Sequence, residues 1–490
     1  MLRQAELATE LFVSEMPKTS RKRYGQFFTD ASTARYMASL FDYPAAQEEL
    51  SILDPGAGSG LLSIAVLERL QNADNIHCIH LTCYESDTLI VPLLEQNLRR
   101  AANCLPFPLH YEIVAENYIT SQDASLFGDK ARAGKYDLVI GNPPYKKISK
   151  DAPEAKAMPH VCHGAPNLYF LFASMGVYNL RDHGELVFII PRSWTSGAYF
   201  AKFRKDFLSR TAIEHIHLFA SRNKVFEKES ILQETIIVKV RKGAEHPDSV
   251  TISTSETSRD FENSRSYKAP YDTVVHGEEK YVYLISSQDD AQAVSKLHKW
   301  KEKLPTIGLR MRTGLTVNFR EKEYLRNAPE AGAVPLFYPH HIKGGRVVFP
   351  GGKENEYVSA SASRLCQKNT NYLFVKRFTS KEERRRLQCG VYLARKHPNT
   401  EFISTQNKIN FIDGLQELSE CIVYGLYVLF NSSVYDLYYR ILNGSTQVNS
   451  TEVNNIPVPD MSTIEAMGKD LLQRRDFSEK GCDAVLACYL

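Results

Sequence analysis

Asp54-Pro55-Gly56-Ala57-Gly58-Ser59-Gly60 stands between a short apolar run, 51–53, and a segment, 61–70, whose Leu61, Leu62, Ala65, Val66 and Leu70 recur at helical spacing. A glycine-rich turn from strand to helix lets a ligand approach the backbone and points helix N-terminal N–H groups into the crevice at the carboxyl end of a parallel sheet. The flanking sequence continues the pattern. Strands are predicted over 51–53, 77–84, 111–114, 136–140, 186–190, 215–219 and 235–240, with helical segments such as 61–70 and 167–180 between them. That alternation is the signature of βαβ units and predicts an α/β domain.

The turn also selects its ligand. Its G-x-G-x-G spacing lacks the later glycine of a NAD fingerprint, and no G-K-[ST] follows as in a phosphate-binding loop. Asp54 at its start repels phosphate and attracts a cationic amino-acid group, and Glu85, ending the next strand, is placed to accept both ribose hydroxyls. These preferences fit S-adenosylmethionine, the alternative being a tight βα connection without a ligand.

A second motif, Asn142-Pro143-Pro144-Tyr145, follows the strand at 136–140, again at the carboxyl end. The exocyclic amine of adenine is a poor nucleophile because its lone pair is delocalised into the ring. The Asn142 side-chain oxygen and the Pro143 carbonyl can accept the two N6 hydrogens, pull the nitrogen toward tetrahedral geometry and aim its lone pair at a sulfonium methyl. Proline keeps that carbonyl on a rigid backbone, and Tyr145 offers a ring face to the base. No titrating base is needed, since the N6 proton becomes acidic only after transfer.

These paired motifs resemble the N6-adenine DNA methyltransferases of type II restriction-modification systems, with the cofactor motif first, N-P-P-Y second and the recognition domain last, from Lys22 to about Pro459. The resemblance implies a Rossmann-like S-adenosylmethionine-dependent methyltransferase domain followed by an irregular α+β DNA-recognition domain. Arg23-Tyr24-Gly25-Gln26-Phe27-Phe28-Thr29 is similar to the family's upstream cofactor segment, which implies Tyr24, Phe28 and Thr29 over the methionine end. Asp54, Gly56 and Gly58 match its loop and Glu85 its ribose-binding acid. Ala115-Glu116-Asn117-Tyr118 sits where the family has Asp-Phe against the cofactor's adenine, which makes Asn117 and Tyr118 the counterparts, with Glu116 as a substitute for Asn117. Val225-Phe226 resembles the motif whose aromatic residue packs on the other face of the flipped base, so that Phe226 and Tyr145 sandwich it and offset part of the unstacking cost.

The remaining sequence sets the frame. A chain of 490 residues holds roughly three ordinary domains or two large ones. The predicted division is an N-terminal helix (1–20), a catalytic domain (21–245), a linker or hairpin region (246–300) rich in Ser, Thr, Asp and Glu, and a target-recognition domain (301–490) ending in a helical pattern over 422–442. Composition, with 43% hydrophobic and 24% charged residues, excludes collagen, a disulfide scaffold and wholesale disorder. With 60 basic against 57 acidic residues, any DNA contact rests on local patches. Lys376-Arg377-Phe378 with Arg384, Arg385 and Arg386 is the densest, while Asn407, Lys408 and Gln447 stand in amide-rich loops suited to adenine edges. A solvated helix face and ordinary turns are the plain alternatives. Similar Lys-Arg-Phe and Asn-Gly-Ser-Thr stretches occur in PstI-type modification methylases, which implies a CTGCAG-like palindrome.

No apolar stretch is long enough to cross a bilayer, the first 20 residues read as a helix and not as a signal peptide, and nine scattered cysteines without C-x-x-C spacing imply reduced thiols. The expected place of work is a bacterial or archaeal cytoplasm. His160, Cys162 and His163 have no distant matching pair, so no metal is expected. The partners expected are double-stranded DNA and a cognate restriction endonuclease on a separate chain, the absence of a P-D-x-x-x-D/E-x-K arrangement leaving this chain without cleavage, and the protein is expected to be a monomer. Rival readings are RNA adenine-N6 methylation, N5-methylation of a protein glutamine, whose carboxamide N-P-P-Y grips equally well, and a non-catalytic DNA-binding specificity protein.

Overall fold

The computed structural model describes residues 1–15, 17, 28–42, 47–122, 133–219, 234–380 and 382–490. The first half is built on β1 (Glu49–Asp54), whose Leu50, Ile52 and Leu53 are buried. The order continues through β2 (Cys78–Tyr84), β3 (Leu109–Val114), β4 (Tyr136–Gly141), β5 (Leu180–Pro191), β6 (Thr211–Phe219), β7 (Thr235–Lys242), β8 (Ser249–Ser255) and β9 (Arg265–Pro270). They form one nine-stranded sheet in the order β3-β2-β1-β4-β5-β7-β6-β8-β9. The strands from β3 to β5 run parallel, while β7 lies antiparallel between β5 and β6. Register places Ile52 beside Leu138 and Leu53 beside Val139, so β1 and β4 end as neighbours.

Helices cover this sheet: α1 (Leu2–Glu15), α2 (Ala31–Ser39), α3 (Leu61–Leu70), α4 (Val91–Ala102), α5 (Leu168–Asn179) and α6 (Ala201–Arg210). Met37 of α2, Leu62 and Val66 of α3 and Leu94 and Leu98 of α4 share one core with Ile52, Ile79 and Ile140. Each such side chain contributes about 1.5–3 kcal/mol on leaving water. Lys239 on β7 pairs with Glu185 on β5 at 3.4 Å and Glu214 on β6 at 2.9 Å, which pins the antiparallel insertion with charges that partner one another.

The stretch 246–300, expected to join two domains, instead supplies β8 and β9 to the sheet. Its Ser and Thr residues alternate with Val250 and Ile252, which are buried, so the polar composition concealed a strand of period two. The chain divides after Ser287, into units Met1–Ser287 and Gln288–Leu490.

The second unit contains a six-stranded and a five-stranded sheet. Tyr372, Phe374, Tyr392 and Phe411 of the larger share one core with Phe337 of the smaller, which accounts for the Tyr/Phe-rich sequence. Its longer helices are α7 (Gln288–Leu297), α8 (Glu420–Asn431), α9 (Ser433–Leu442), α10 (Met461–Arg474) and α11 (Glu479–Leu486). The helical pattern over 422–442 is therefore two helices, broken where the Ser432 hydroxyl accepts from the Tyr435 N–H and caps α9. Among the described residues no helix is long and apolar enough to cross a membrane, and all nine cysteines are free thiols.

Candidate active site

Asp54 closes β1 with no exposed surface. Its Oδ2 accepts a hydrogen bond from Ser63 Oγ, in the first turn of α3, at 2.7 Å, whereas Oδ1 is buried with no hydrogen-bond partner. Burial, aided by the charge of Glu85, pushes its carboxyl up to about 7 against the Ser63 bond. A lone Ser in the apolar face of α3 was the sequence signal for that partner, and it was missed.

Glu85 follows β2 and is buried. One carboxylate oxygen accepts from Gly58 N at 2.9 Å and the other from Asp87 N at 2.8 Å, and the Ser86 backbone also bonds to this carboxylate. Burial raises its carboxyl despite these bonds. Gly58, at φ 54°, takes the left-handed conformation that glycine tolerates, and a Cβ there would meet the Phe28 ring at 3.7 Å, so Phe28 lies over the loop. At Gly56 a Cβ would stand 3.6 Å from Phe172. This cradle joins two buried acids, one with an unused oxygen, to close-approach backbone. It rejects phosphate and fits a cationic amino-acid group with a ribose.

Asn142 follows β4, which is buried throughout. Its Nδ2 donates to Thr29 Oγ1 at 3.1 Å, and the Tyr145 hydroxyl lies 2.9 Å from both Asn142 Oδ1 and the Ile189 carbonyl on β5. Tyr145 is edge-on to Tyr169, and burial pushes its hydroxyl far above the ordinary phenol range. Pro143 is buried and Pro144 half-buried. Strand register thus brings Thr29, Phe28, Asp54, Gly56, Gly58, Glu85, Asn142 and Tyr145 to one end of the sheet. Tyr24 and Phe226 lie outside the described residues.

Two expected cofactor contacts are occupied otherwise. Asn117 Oδ1 accepts from Ile119 N and Thr120 N at 3.0 and 3.1 Å, and its amide donates to Glu154, so its oxygen caps a turn. Tyr118 is buried, its hydroxyl donating to Asn179 and its ring against Tyr84 and Phe172. It serves as a wall behind the cradle.

In the second unit, Arg377 Nη1 donates to the Asn407 carbonyl at 3.0 Å and Nη2 to Gln447 Oε1 at 3.4 Å. Arg377 N donates to the Lys408 carbonyl, and Phe378 bridges Gln447, so three separate loops meet there. Lys376 donates to Gln388 at 2.9 Å, and Arg384 is 85% exposed while paired with Glu479 at 3.2 Å. The expectation of DNA contacts fails for the other two arginines. Arg386 is 1% exposed, donating to Thr379, Asn443 and the Ser445 carbonyl. Arg385 donates to the Phe430 and Ser432 carbonyls at the end of α8, where a cation complements the helix dipole. A basic run in sequence does not disclose which cations face inward.

His340, His341 and Glu356 also cluster in this unit. His341 Nδ1 accepts from Tyr338 N at 2.9 Å, so a neutral ring carries its hydrogen on Nε2, 2.7 Å from Glu356 Oε1. That is a donor's state and not a metal ligand's.

The sheet order, the acid-lined glycine cradle and the adjoining Asn142 define an S-adenosylmethionine-dependent methyltransferase, and S-adenosylmethionine is its cofactor. Residues 71–226 match the family described as Eco57I restriction-modification methylase. The chain is 34% identical over 468 residues to the type II methyltransferase M.BsuBI of Bacillus subtilis, covering 93% of this chain and 91% of that protein. It is 30% identical over 481 residues to the type II methyltransferase M.PstI of Providencia stuartii, covering 95% and 92%. The fold is shared with the type IIL restriction-modification enzyme MmeI, solved in complex with DNA, at a TM-score of 0.55 and 13% identity over 99% of this chain and 74% of that one. The chain belongs to the type II methyltransferases of restriction-modification systems.

Proposed function

We propose that this protein methylates the N6 amine of an adenine extruded from duplex DNA at a specific site, and so protects that site from a cognate endonuclease carried on a separate chain. The observation that carries the reading is Asn142, held by Thr29 at the end of β4 beside the cradle of Asp54 and Glu85. Bound S-adenosylmethionine supplies an electrophilic methyl group. Asp54 meets its cationic amino-acid end and Glu85 its ribose, while Phe28 covers the loop. Asn142 Oδ1 and the Pro143 carbonyl accept the two N6 hydrogens, and Tyr145 supports the base from one side. The nitrogen lone pair would form the new N–C bond as the sulfonium S–CH3 bond breaks, its electron pair staying on the sulfur of the departing thioether, and the surplus N6 proton would leave to solvent.

Lys376, Arg377, Arg384, Asn407, Lys408 and Gln447 are the candidate DNA contacts of the second unit, and the gathering of Arg377, Asn407 and Gln447 supports a reader of base edges there. A monomer acting once per strand suffices for a palindrome. The test is single-molecule sequencing of plasmid DNA from cells expressing the protein. One modified adenine context is expected, absent with Asn142→Ala. Unmodified DNA from a protein that binds the cofactor, with methyl transfer to structured RNA or a protein glutamine instead, would overturn the reading.

A further inference from the structure

The chain leaving the catalytic tetrapeptide is basic and fixed in place. Lys146, Lys147 and Lys150 are exposed. Leu168 N donates to the Lys146 carbonyl at 2.9 Å, Ile148 N donates to the Pro166 carbonyl at 2.8 Å, and Lys147 forms an antiparallel bridge with Asn167. Lys146 and Lys147 are therefore carried on pinned backbone immediately after Tyr145, with Lys150 three residues further on. Of the acids in this stretch, Glu154 accepts from Asn117, and Asp151 is exposed.

An aromatic ring stands over the same ground. Tyr145 is edge-on to Tyr169, whose ring lies 5.9 Å from that of buried Phe200. The next residue back, Tyr199, is turned outward and 66% exposed. Its ring has Lys147 Nζ 6.0 Å from the centroid and the His163 ring 6.1 Å away. The backbone beneath it is anchored, since Phe200 N donates to the Gly197 carbonyl at 3.1 Å. Phe200 fills the core position, which leaves the Tyr199 ring facing solvent. A lysine beside an outward ring, with two more lysines on the same loop, makes a surface that a single nucleic-acid strand fits, through phosphates and base faces together.

We propose that Lys147 and Tyr199, with Lys146 and Lys150, hold the DNA strand that carries the target base where it leaves the Asn142 site. The lysines contact the flanking phosphates, and the Tyr199 ring stacks on the base next to the target. The proposal rests on the reading of Asn142 as the adenine site. These are positioning residues: they favour the extruded strand and touch neither the methyl group nor the cofactor cradle.

The test uses the full chain with Tyr199→Ala, Tyr199→Phe and Lys147→Ala, on a duplex carrying the modified context. Tyr199→Ala is expected to weaken duplex affinity and raise KM for DNA roughly 5- to 150-fold, the range of one lost base stack. Tyr199→Phe restores both, and S-adenosylmethionine affinity and melting temperature stay at wild-type values. Lys147→Ala lowers the slope of log affinity against log salt by about 0.9. Unchanged duplex affinity in Tyr199→Ala, or a loss that phenylalanine does not restore, overturns the proposal. If the wild-type protein modifies no adenine, the Asn142 reading fails by itself, and duplex affinity alone then decides. A weaker Tyr199→Ala complex with a smaller salt slope for Lys147→Ala sustains the strand grip, and unchanged binding removes it.

Discussion

The Asn142 amide nitrogen donates to the Thr29 hydroxyl at 3.1 Å across 113 residues of chain. That bond decides which way the carboxamide faces: with nitrogen toward Thr29, Oδ1 is left on the Tyr145 side as the acceptor. Thr29→Val keeps the shape and removes the bond. It is expected to lower kcat roughly tenfold, the worth of one hydrogen bond of about 1.4 kcal/mol, with KM for S-adenosylmethionine nearly unchanged in steady-state assays. Asn142→Ala removes the acceptor itself and is expected to cost at least about 100- to 1,000-fold.

On the proposed contact between Asp54 and the cationic end of the cofactor, binding should be proton-linked. Its carboxyl sits at about 7 in the free protein because burial disfavours the charge, and a cationic ligand favours the ionised form. Affinity for S-adenosylmethionine should therefore rise with pH up to about 7 and then level off, with proton release near pH 6 measured by calorimetry in buffers of differing ionisation enthalpy. The same raised value disfavours the fold as pH climbs from about 4 to 7, since the unfolded carboxyl ionises first. Asp54→Asn should then melt higher at pH 8 while binding the cofactor poorly. A flat affinity profile with no proton release would sink this account.

Gly60 caps α3 at φ 86°, and a Cβ there would fall 2.8 Å from Leu94 Cδ1. Gly60→Ala combines a left-handed alanine, costing about 1–2 kcal/mol, with a displaced Leu94. A lower urea midpoint with unchanged slope is the expected result.

Arg384 and Arg386, two residues apart, should respond in opposite ways. Arg386→Ala leaves the Thr379, Asn443 and Ser445 acceptors without their buried donor, and a loss of about 1–3 kcal/mol for each acceptor left unmet is expected. Arg384→Ala, at an exposed site, should change stability by no more than about 0.5 kcal/mol. Thermal melts of the two variants side by side decide the matter.

Glu356 should tie stability to acid pH. Burial alone would raise its carboxyl, but hydrogen bonds from His340, His341 and Gly351 outweigh it and hold it at about 2. The stabilisation is present above the ordinary carboxyl range and is lost as pH falls from about 4.5 toward 2. Glu356→Gln should melt lower than the wild type at pH 6, and the difference should shrink toward pH 3.

The sheet and cradle could be read from sequence because each rests on local chemistry. Asp54 and Glu85 end apolar runs, and the glycines between strand and helix restrict the backbone to a few paths. The strand 235–240 and the helix 167–180 emerged as Thr235–Lys242 and Leu168–Asn179 for the same reason. What depended on distant partners was not legible. The β8 pairing is hidden in a Ser/Thr-rich stretch, the inward turn of Arg386 is set by Asn443 and Ser445, and the Asn117 oxygen is taken by the turn that follows it. Charge and residue type were visible in the sequence, but the direction of a side chain was not.

The sheet finishes on β9, which exposes Arg265, Lys268 and Pro270 along its length. An unpaired edge is a template on which another molecule's strand can add, and charge with proline makes that addition costly. Charge and proline at this edge therefore work against the sheet growing from one copy into the next.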